Sequence, residues 1–136
     1  MRLRQMNLYL LRLLVFLITF TFGLLASPVQ FKPMGSGMGS TIDGRQPCTF
    51  TPYESGYFGK VVVWSCSYSD EAKAANAMMR DAQKYHIIRA SDSRYIVSYS
   101  VEETDYHCIF RVDGKRVTDI CSTSLWQASL LERQKF

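Results

Sequence analysis

The stretch Cys108–Cys121, CIFRVDGKRVTDIC, constrains the fold more strongly than any other part of the sequence. Two segments rich in β-branched and aromatic residues flank an Asp-Gly pair, and this pattern is typical of a β-hairpin. A cysteine stands at the outer end of each segment. The chemistry of these two sulfurs decides between a structural clamp, a redox pair and a metal site.

The register of the hairpin favours the clamp. Paired residues on the two strands of a hairpin have a constant sum of residue numbers, so the position of the turn fixes every pair. A four-residue loop at Asp113–Arg116 places Cys108 opposite Cys121, at a separation that suits a disulfide. A tighter Asp-Gly turn would pair Cys108 with Asp119 instead. We predict the first register.

Cys48 and Cys66 bracket a second turn region that contains Pro and Gly. The same reasoning predicts a disulfide between them, in addition to the one between Cys108 and Cys121. Four cysteines in a small exported domain are typical of two structural bridges. The sequence has no Cys-x-x-Cys motif for redox chemistry. Zinc would need clustered ligands, and His107 points to the opposite face of the strand from its neighbour Cys108.

The N-terminal segment, residues 1–31, indicates the compartment. Three arginines, Arg2, Arg4 and Arg12, precede or border an uncharged apolar stretch at residues 13–26. A positive region followed by an apolar core is typical of an export signal, and the arginines keep the N-terminus in the cytoplasm. The chain after this segment is therefore expected outside the cytoplasm.

Two fates of this segment remain open. In one, cleavage after Ala26 releases a secreted domain, since residues 13–26 are fewer than the roughly 20 apolar residues that span a bilayer. In the other, a helix from Leu8 towards Phe31 stays as a single-pass membrane anchor. Leu24 stands two residues before Ala26, where a cleavage site prefers a small side chain, so the anchor is preferred.

The exported part of the chain divides into a linker and a domain. Residues 32–47, KPMGSGMGSTIDGRQP, are rich in Gly, Ser and Pro and predict a flexible linker. Residues 48–136 predict one small disulfide-stapled domain, whose core alone would be marginal without such bridges.

The charge balance of the exported part argues against nucleic-acid binding. The chain carries 16 Lys and Arg against 12 Asp and Glu, but three of the arginines lie in the N-terminal segment. The remainder is nearly neutral and contains no dense basic run. Binding to phosphate backbones needs such a run, so no nucleic-acid partner is expected.

Local patterns predict the elements of the domain. Residues 60–68 are β-branched and aromatic and predict a strand. Residues 70–85 predict a long helix, because they are strong helix formers with an Ala and Met stripe on one face and Ser69 as a candidate N-cap. The alternation at residues 95–102 predicts a half-exposed antiparallel strand. Ser124 has capping-box spacing to the residue three positions later and predicts a short C-terminal helix.

The predicted fold class follows from the order of these elements. It is a small single α+β domain, in which an antiparallel meander is packed by one long helix. A short C-terminal helix follows the meander, and a hydrophobic helix precedes the domain at the N-terminus.

No pattern in the sequence predicts a catalytic, cofactor or metal site. His86, after the long helix, and His107, on a strand, are isolated histidines whose simplest roles are structural. The acidic turn VEETDY lacks the spacing of an EF-hand calcium loop. Several aromatic side chains crowd the turn region near residues 50–58, and the last helix carries another. The simpler role of the first group is packing beneath the loop, and that of the helix residue is docking onto the sheet. A partner surface is the alternative, because a small domain cannot bury all of these rings deeply. These residues are Tyr53, Tyr57, Phe58 and Trp126.

These features together predict a small extracytoplasmic binding or accessory module, tethered to a membrane and without catalytic activity. Its expected partners are the membrane, through the N-terminal helix, and a protein of the cell envelope. One alternative is a secreted enzyme or inhibitor, released by cleavage near Ala26. Another is a structural subunit of an envelope assembly.

Overall fold

A computed structural model describes Arg12 and residues 29–40, 47–55 and 59–136. From residue 31 onward these residues form one domain, with an eight-stranded antiparallel sheet and two described helices. The elements are β1 Lys32–Pro33, β2 Gly37–Ser40, β3 Pro47–Glu54, β4 Lys60–Ser67, α1 Glu71–Ala82, β5 His86–Ala90, β6 Arg94–Val101, β7 Thr104–Asp113, β8 Arg116–Ser122 and α2 Leu125–Lys135.

The predicted N-terminal hydrophobic helix lies outside the described residues. Neither helix of the described ranges is both long enough and apolar enough to cross a membrane.

The sheet joins a hairpin to a meander. Its strand order is β1-β3-β4-β8-β7-β6-β5, and β2 also pairs with β3. Strands β5 to β8 form the meander, and β4 of the β3–β4 hairpin pairs with the last strand of that meander, β8. The helix α1 connects β4 to β5, at the far edge of the sheet. The prediction of an antiparallel α+β domain packed by a helix is confirmed.

One face of the sheet is covered by α1. Cross-strand partners point to the same face, so the pairing register assigns every side chain to a side. The α1 residues Ala74, Met78 and Ala82 are buried against Val97 and Phe110 of the meander. The small alanines allow close approach of the helix to the sheet, and this side is named the α1 face.

The opposite side, named the α2 face, is covered by the C-terminal helix. The helix α2 packs against β4, β7 and β8. A row of apolar side chains runs across this face beneath and beside the helix: Val63, Ile120, Ile109 and Ile96. The sequence predicted that the side of β6 carrying Ile96 faces solvent, and this part of the prediction is wrong because helices lie on both faces.

The capping of both helices differs from the predicted arrangement. The N-cap of α1 is Asp70 rather than Ser69, and the Asp70 carboxylate accepts a hydrogen bond from the backbone N–H of Lys73 at 2.8 Å. The helix α2 begins after Ser124 as predicted, but its side chain makes no capping hydrogen bond. The predicted partner Gln127 is buried and instead accepts a hydrogen bond from the Ser122 hydroxyl at 3.3 Å.

The two disulfides link the pairs that the hairpin registers predict. Cys48 bonds to Cys66 and Cys108 to Cys121, with the two Cα atoms 4.1 Å apart in each bridge. Asp113 and Arg116 form the last pair of the β7–β8 ladder, so the turn between them is a two-residue one. Its register is the predicted one, and all four described cysteines are bridged.

Part of the segment predicted as a linker belongs to the sheet. The short strands β1 and β2 both pair with the outer edge of β3. Backbone pairing between strands does not require large side chains. At Gly39 the absence of a side chain leaves room for a neighbouring aromatic ring. A Cβ atom at Gly39 would lie 3.0 Å from the Trp64 ring, so a larger residue here would require the indole to shift. Residues 41–46 of the segment lie outside the described ranges.

A buried carboxylate fixes the C-terminal helix to the sheet. Both oxygens of Glu132 on α2 accept hydrogen bonds from Arg94, the two shortest at 2.8 and 2.9 Å. Arg111 reaches the same carboxylate at 3.5 Å. These hydrogen bonds raise the pKa of the Arg94 guanidinium above its ordinary value. Two strands of the sheet are thereby joined to one position of α2.

We expect Glu132→Gln to lower the free energy of unfolding by about 2–3 kcal/mol, because two arginines lose their buried counter-charge. Urea unfolding of the full chain in detergent, followed by circular dichroism, measures this change. The matched control is Glu71→Gln, an exposed carboxylate that begins α1. Equal effects of the two substitutions would show that the buried ion pairs contribute nothing specific.

Candidate functional site

The far end of the meander exposes a group of apolar side chains on and beside β5. These residues are between 37% and 50% exposed, although large apolar residues are usually buried. They lie where α1 has already ended, so no described element covers them. The group, named the apolar end, consists of Tyr85, Ile87, Ile88 and Val101.

Stacked aromatic rings support the apolar end from the α1 face. The Tyr85 ring lies 5.1 Å from that of Tyr99, which stacks on Tyr106 at 5.3 Å with nearly parallel planes. Tyr85 also meets Phe110 edge-on at 5.9 Å. Burial, and next the neighbouring Tyr85 and Tyr106, raise the pKa of Tyr99 above its ordinary value. Tyr99 is therefore uncharged at physiological pH, and the three tyrosine rings present one aromatic surface.

A strained acidic turn borders the apolar end. Glu102 and Glu103 connect β6 to β7 and both have positive φ, 50° and 67°. A two-residue turn of this kind normally uses Asn and Gly, which tolerate the left-handed region. The Ser100 hydroxyl donates a hydrogen bond to Asp105 just outside the turn. Strain of this kind persists only where the surrounding ladder imposes it.

β5 forms one edge of the sheet. Among the described strands it pairs only with β6, and all five of its residues are exposed. The register shifts between Ile87 and Arg89, so Ile88 is an extra residue in a β-bulge. Ile87 points to the α1 face as the partner of Val97, whereas Arg89 points to the α2 face.

Asp119 is an acidic residue in an apolar row. On the α1 face it lies between its register partners Trp64 and Phe110. The residue is partly buried in this row. Burial, with a smaller contribution from Asp81 of α1, raises the pKa of Asp119 from 3.8 to about 7. No hydrogen bond joins it to another described residue, so nothing offsets the loss of hydration.

The residues of the predicted partner surface do not form one site in the described ranges. Tyr57 and Phe58 lie outside those ranges. Tyr53 is half-buried on β3, on the α2 face, as the partner of Val61. Trp126 is 53% exposed in the first turn of α2. No described contact joins Tyr53 to Trp126, so their shared role stays a prediction.

The two histidines lie on the same face of the sheet but are separated by a strand. His86 begins β5 and pairs with Ser98, which in turn pairs with His107 on β7. The Nδ1 atom of His107 is buried without a hydrogen-bond partner. Asp119 points to the α1 face, away from both imidazoles. Among the described residues, no three His, Cys, Asp or Glu side chains form a group that would hold a metal ion.

Comparison with known proteins adds no family to this description. No family model, curated protein or solved structure matches the chain.

The sequence contains a signal for Asp119 but a weaker one for the apolar end. Val117, Asp119 and Cys121 alternate along β8, so the predicted disulfide at Cys121 places the carboxylate on the same face as the bridge. In contrast, the sequence of the segment HIIRA does not reveal whether a helix covers this strand. The strand is exposed because α1 ends at Ala82, before it reaches β5.

We expect Asp119→Asn to stabilise the domain at neutral pH by up to about 4 kcal/mol, because the native pKa of about 7 exceeds the unfolded value of 3.8. Between these two values native Asp119 holds a proton that the unfolded chain has released. The stability of the unmodified protein therefore falls as pH rises from about 4 to 7, and the loss is complete above pH 7.

Urea unfolding at several pH values from 4 to 8 measures this effect. The advantage of Asp119→Asn should be absent at the acidic limit and grow towards neutrality. Asp92→Asn, at an exposed carboxylate in the β5–β6 turn, is the matched control and should leave the slope unchanged. A pH-independent difference between Asp119→Asn and the unmodified protein would contradict the assignment.

Proposed function

We propose that this chain is an extracytoplasmic protein-binding module that its N-terminal segment holds at a membrane. The observation that carries the proposal is the apolar end, where four side chains remain exposed beside a stack of aromatic rings. Exposed apolar groups of this kind, rimmed by charged residues, are typical of protein interfaces. Acidic Glu102 and Glu103 and basic Arg89 supply such a rim here.

The compartment is supported by the cysteine chemistry. Two disulfides are typical of an oxidising, extracytoplasmic environment, and the positive and apolar N-terminal segment is typical of export.

The secreted-enzyme alternative has one observation in its favour. A carboxyl group whose pKa lies near 7 suits general acid–base chemistry, and Asp119 is such a group. However, no histidine lies beside this carboxyl group to act with it as a second acid or base. His86 and His107 point to the α2 face, while Asp119 points to the α1 face. The binding module is therefore the function that the geometry supports better.

A photo-crosslinking residue in place of Val101 tests the binding function in native membranes. We expect a crosslinked product of one defined mass. The same residue in place of Met38, which is exposed on β2 at the other end of the sheet, should give none. Adding Ile87→Asp to the Val101 probe should abolish the product while both disulfides stay formed. Equal crosslinking from Val101 and Met38 would contradict a specific surface.

Intact mass of membrane and soluble fractions tests the tether and the bridges. We expect the full-length mass in the membrane fraction, with no thiol that alkylates before reduction. A species that begins near Ser27 in the soluble fraction would instead support the secreted alternative. Free thiols at Cys108 or Cys121 in cells would contradict the structural role of the bridge.

A further inference from the structure

We propose that the partner binds by adding an extended segment to β5, and that this segment alternates apolar and acidic side chains. The inference rests on the proposed function and specifies the binding mode and the chemistry of the partner. In this mode backbone hydrogen bonds to a sheet edge provide affinity, and alternate side chains provide specificity.

The backbone of β5 offers the necessary edge. Each edge strand directs one set of its N–H and C=O groups away from the sheet. β5 has a described partner on one side only, and its five residues are all exposed. The bulge at Ile88 locally interrupts the β5–β6 ladder and leaves an isoleucine, 50% exposed, at the rim.

At the opposite edge of the sheet, short strands occupy the outer side of β3. β5 is therefore the better edge for an added strand. The outer edge of β3 is occupied by β1 and β2, which are short and contain Pro and Gly. Short strands, proline, charged side chains such as lysine, and β-bulges are the usual means of blocking an edge. β5, with the sequence HIIRA, contains no Pro, Gly or Lys, and of these means it carries only Arg89 and the bulge at Ile88.

The two faces of β5 differ in chemistry, and this difference defines the partner. On the α1 face, Ile87 and Ala90 continue into the apolar surface formed by Tyr85 and Val101. On the α2 face, β5 presents the ionisable His86 and the cationic Arg89. A strand added beside β5 would point alternate side chains to these two faces. Apolar residues on one side and Asp or Glu on the other match this arrangement.

A second copy of the chain matches the edge less well. Pairing β5 with another β5 would bring the basic faces of both strands to the same side of the joined sheet. The Arg89 side chains of both copies would then lie on one side of the joined sheet, and like charges placed close together destabilise a strand pair. An acidic segment would be attracted to Arg89 rather than repelled. Charge complementarity therefore favours a segment of a different protein over a second copy of this chain.

Selection from a random library of ten-residue peptides tests the proposal, with the full chain in detergent micelles as bait. We expect the enriched peptides to alternate apolar residues with Asp or Glu. Their binding should slow hydrogen exchange at residues 86–90 by at least about tenfold, since edge N–H groups become hydrogen-bonded. Arg89→Glu should weaken the enriched peptides by roughly tenfold or more, whereas Arg133→Glu, on the exposed side of α2, should not.

Three results would overturn the inference. One is a selection that enriches no peptide, or only peptides without alternation. Another is binding that leaves exchange at residues 86–90 unchanged. The third is slow exchange at β5 that depends on protein concentration without any peptide, which would identify a second copy as the occupant. None of these three results contradicts the proposed function if a probe at Val101 still crosslinks a partner. Only loss of that crosslink would contradict the proposed function.

Discussion

The antiparallel pairing of β4 with β8 is the contact on which the rest of the structure depends. The β3–β4 hairpin and the β5–β8 meander are each built from local pairings that the chain forms with its own neighbours. Only the ladder from Val62↔Cys121 to Ser67↔Arg116 joins them into one sheet. It closes a loop that contains α1 and three strands, so its entropic cost is higher than that of any hairpin. One disulfide lies on each side of it, in the hairpins that it connects.

This pairing also determines where the two helices lie. Because β4 lies beside β8 and the next strand is at the far edge, α1 has to cross the meander to reach β5. It carries its Ala and Met stripe over Val97 and Phe110 as it does so. The C-terminal helix returns over the other face and is held there by Glu132. The central strands are therefore buried on both sides, and burial decreases towards β5.

The exposed apolar end is a geometric result of this arrangement. A helix that ends at Ala82 cannot cover the edge strand that follows it, so Ile87 and Ile88 stay exposed although their residue type favours a core. Phe110 connects this region to Asp119, since it is the register partner of the carboxylate and meets Tyr85 edge-on. Asp119 is an acidic residue among apolar neighbours, and Ile87 and Ile88 are apolar residues exposed to solvent, so both features depart from the usual distribution of residue types. Departures of this kind are expected at functional sites.

Much of the local structure follows from the sequence alone. The turn within Asp113–Arg116 and the positions of Cys108 and Cys121 favour one hairpin register and its bridge, and the same logic holds for Cys48 and Cys66. Helix formers with an apolar stripe determine α1 to within a few residues. These features depend on neighbours along the chain, whose geometry local rules describe well.

The tertiary structure decided the rest. Whether Ile96 is buried depends on α2, which lies far from it in sequence, and alternation within one strand carries no information on that helix. The Gly-rich segment joins the sheet through backbone pairing with β3, and Gly39 leaves room there for the Trp64 ring, which composition alone does not reveal. The candidate site is exposed because α1 does not cover β5. The path of α1 across the sheet is set by the long-range pairing of β4 with β8, which local sequence patterns do not reveal.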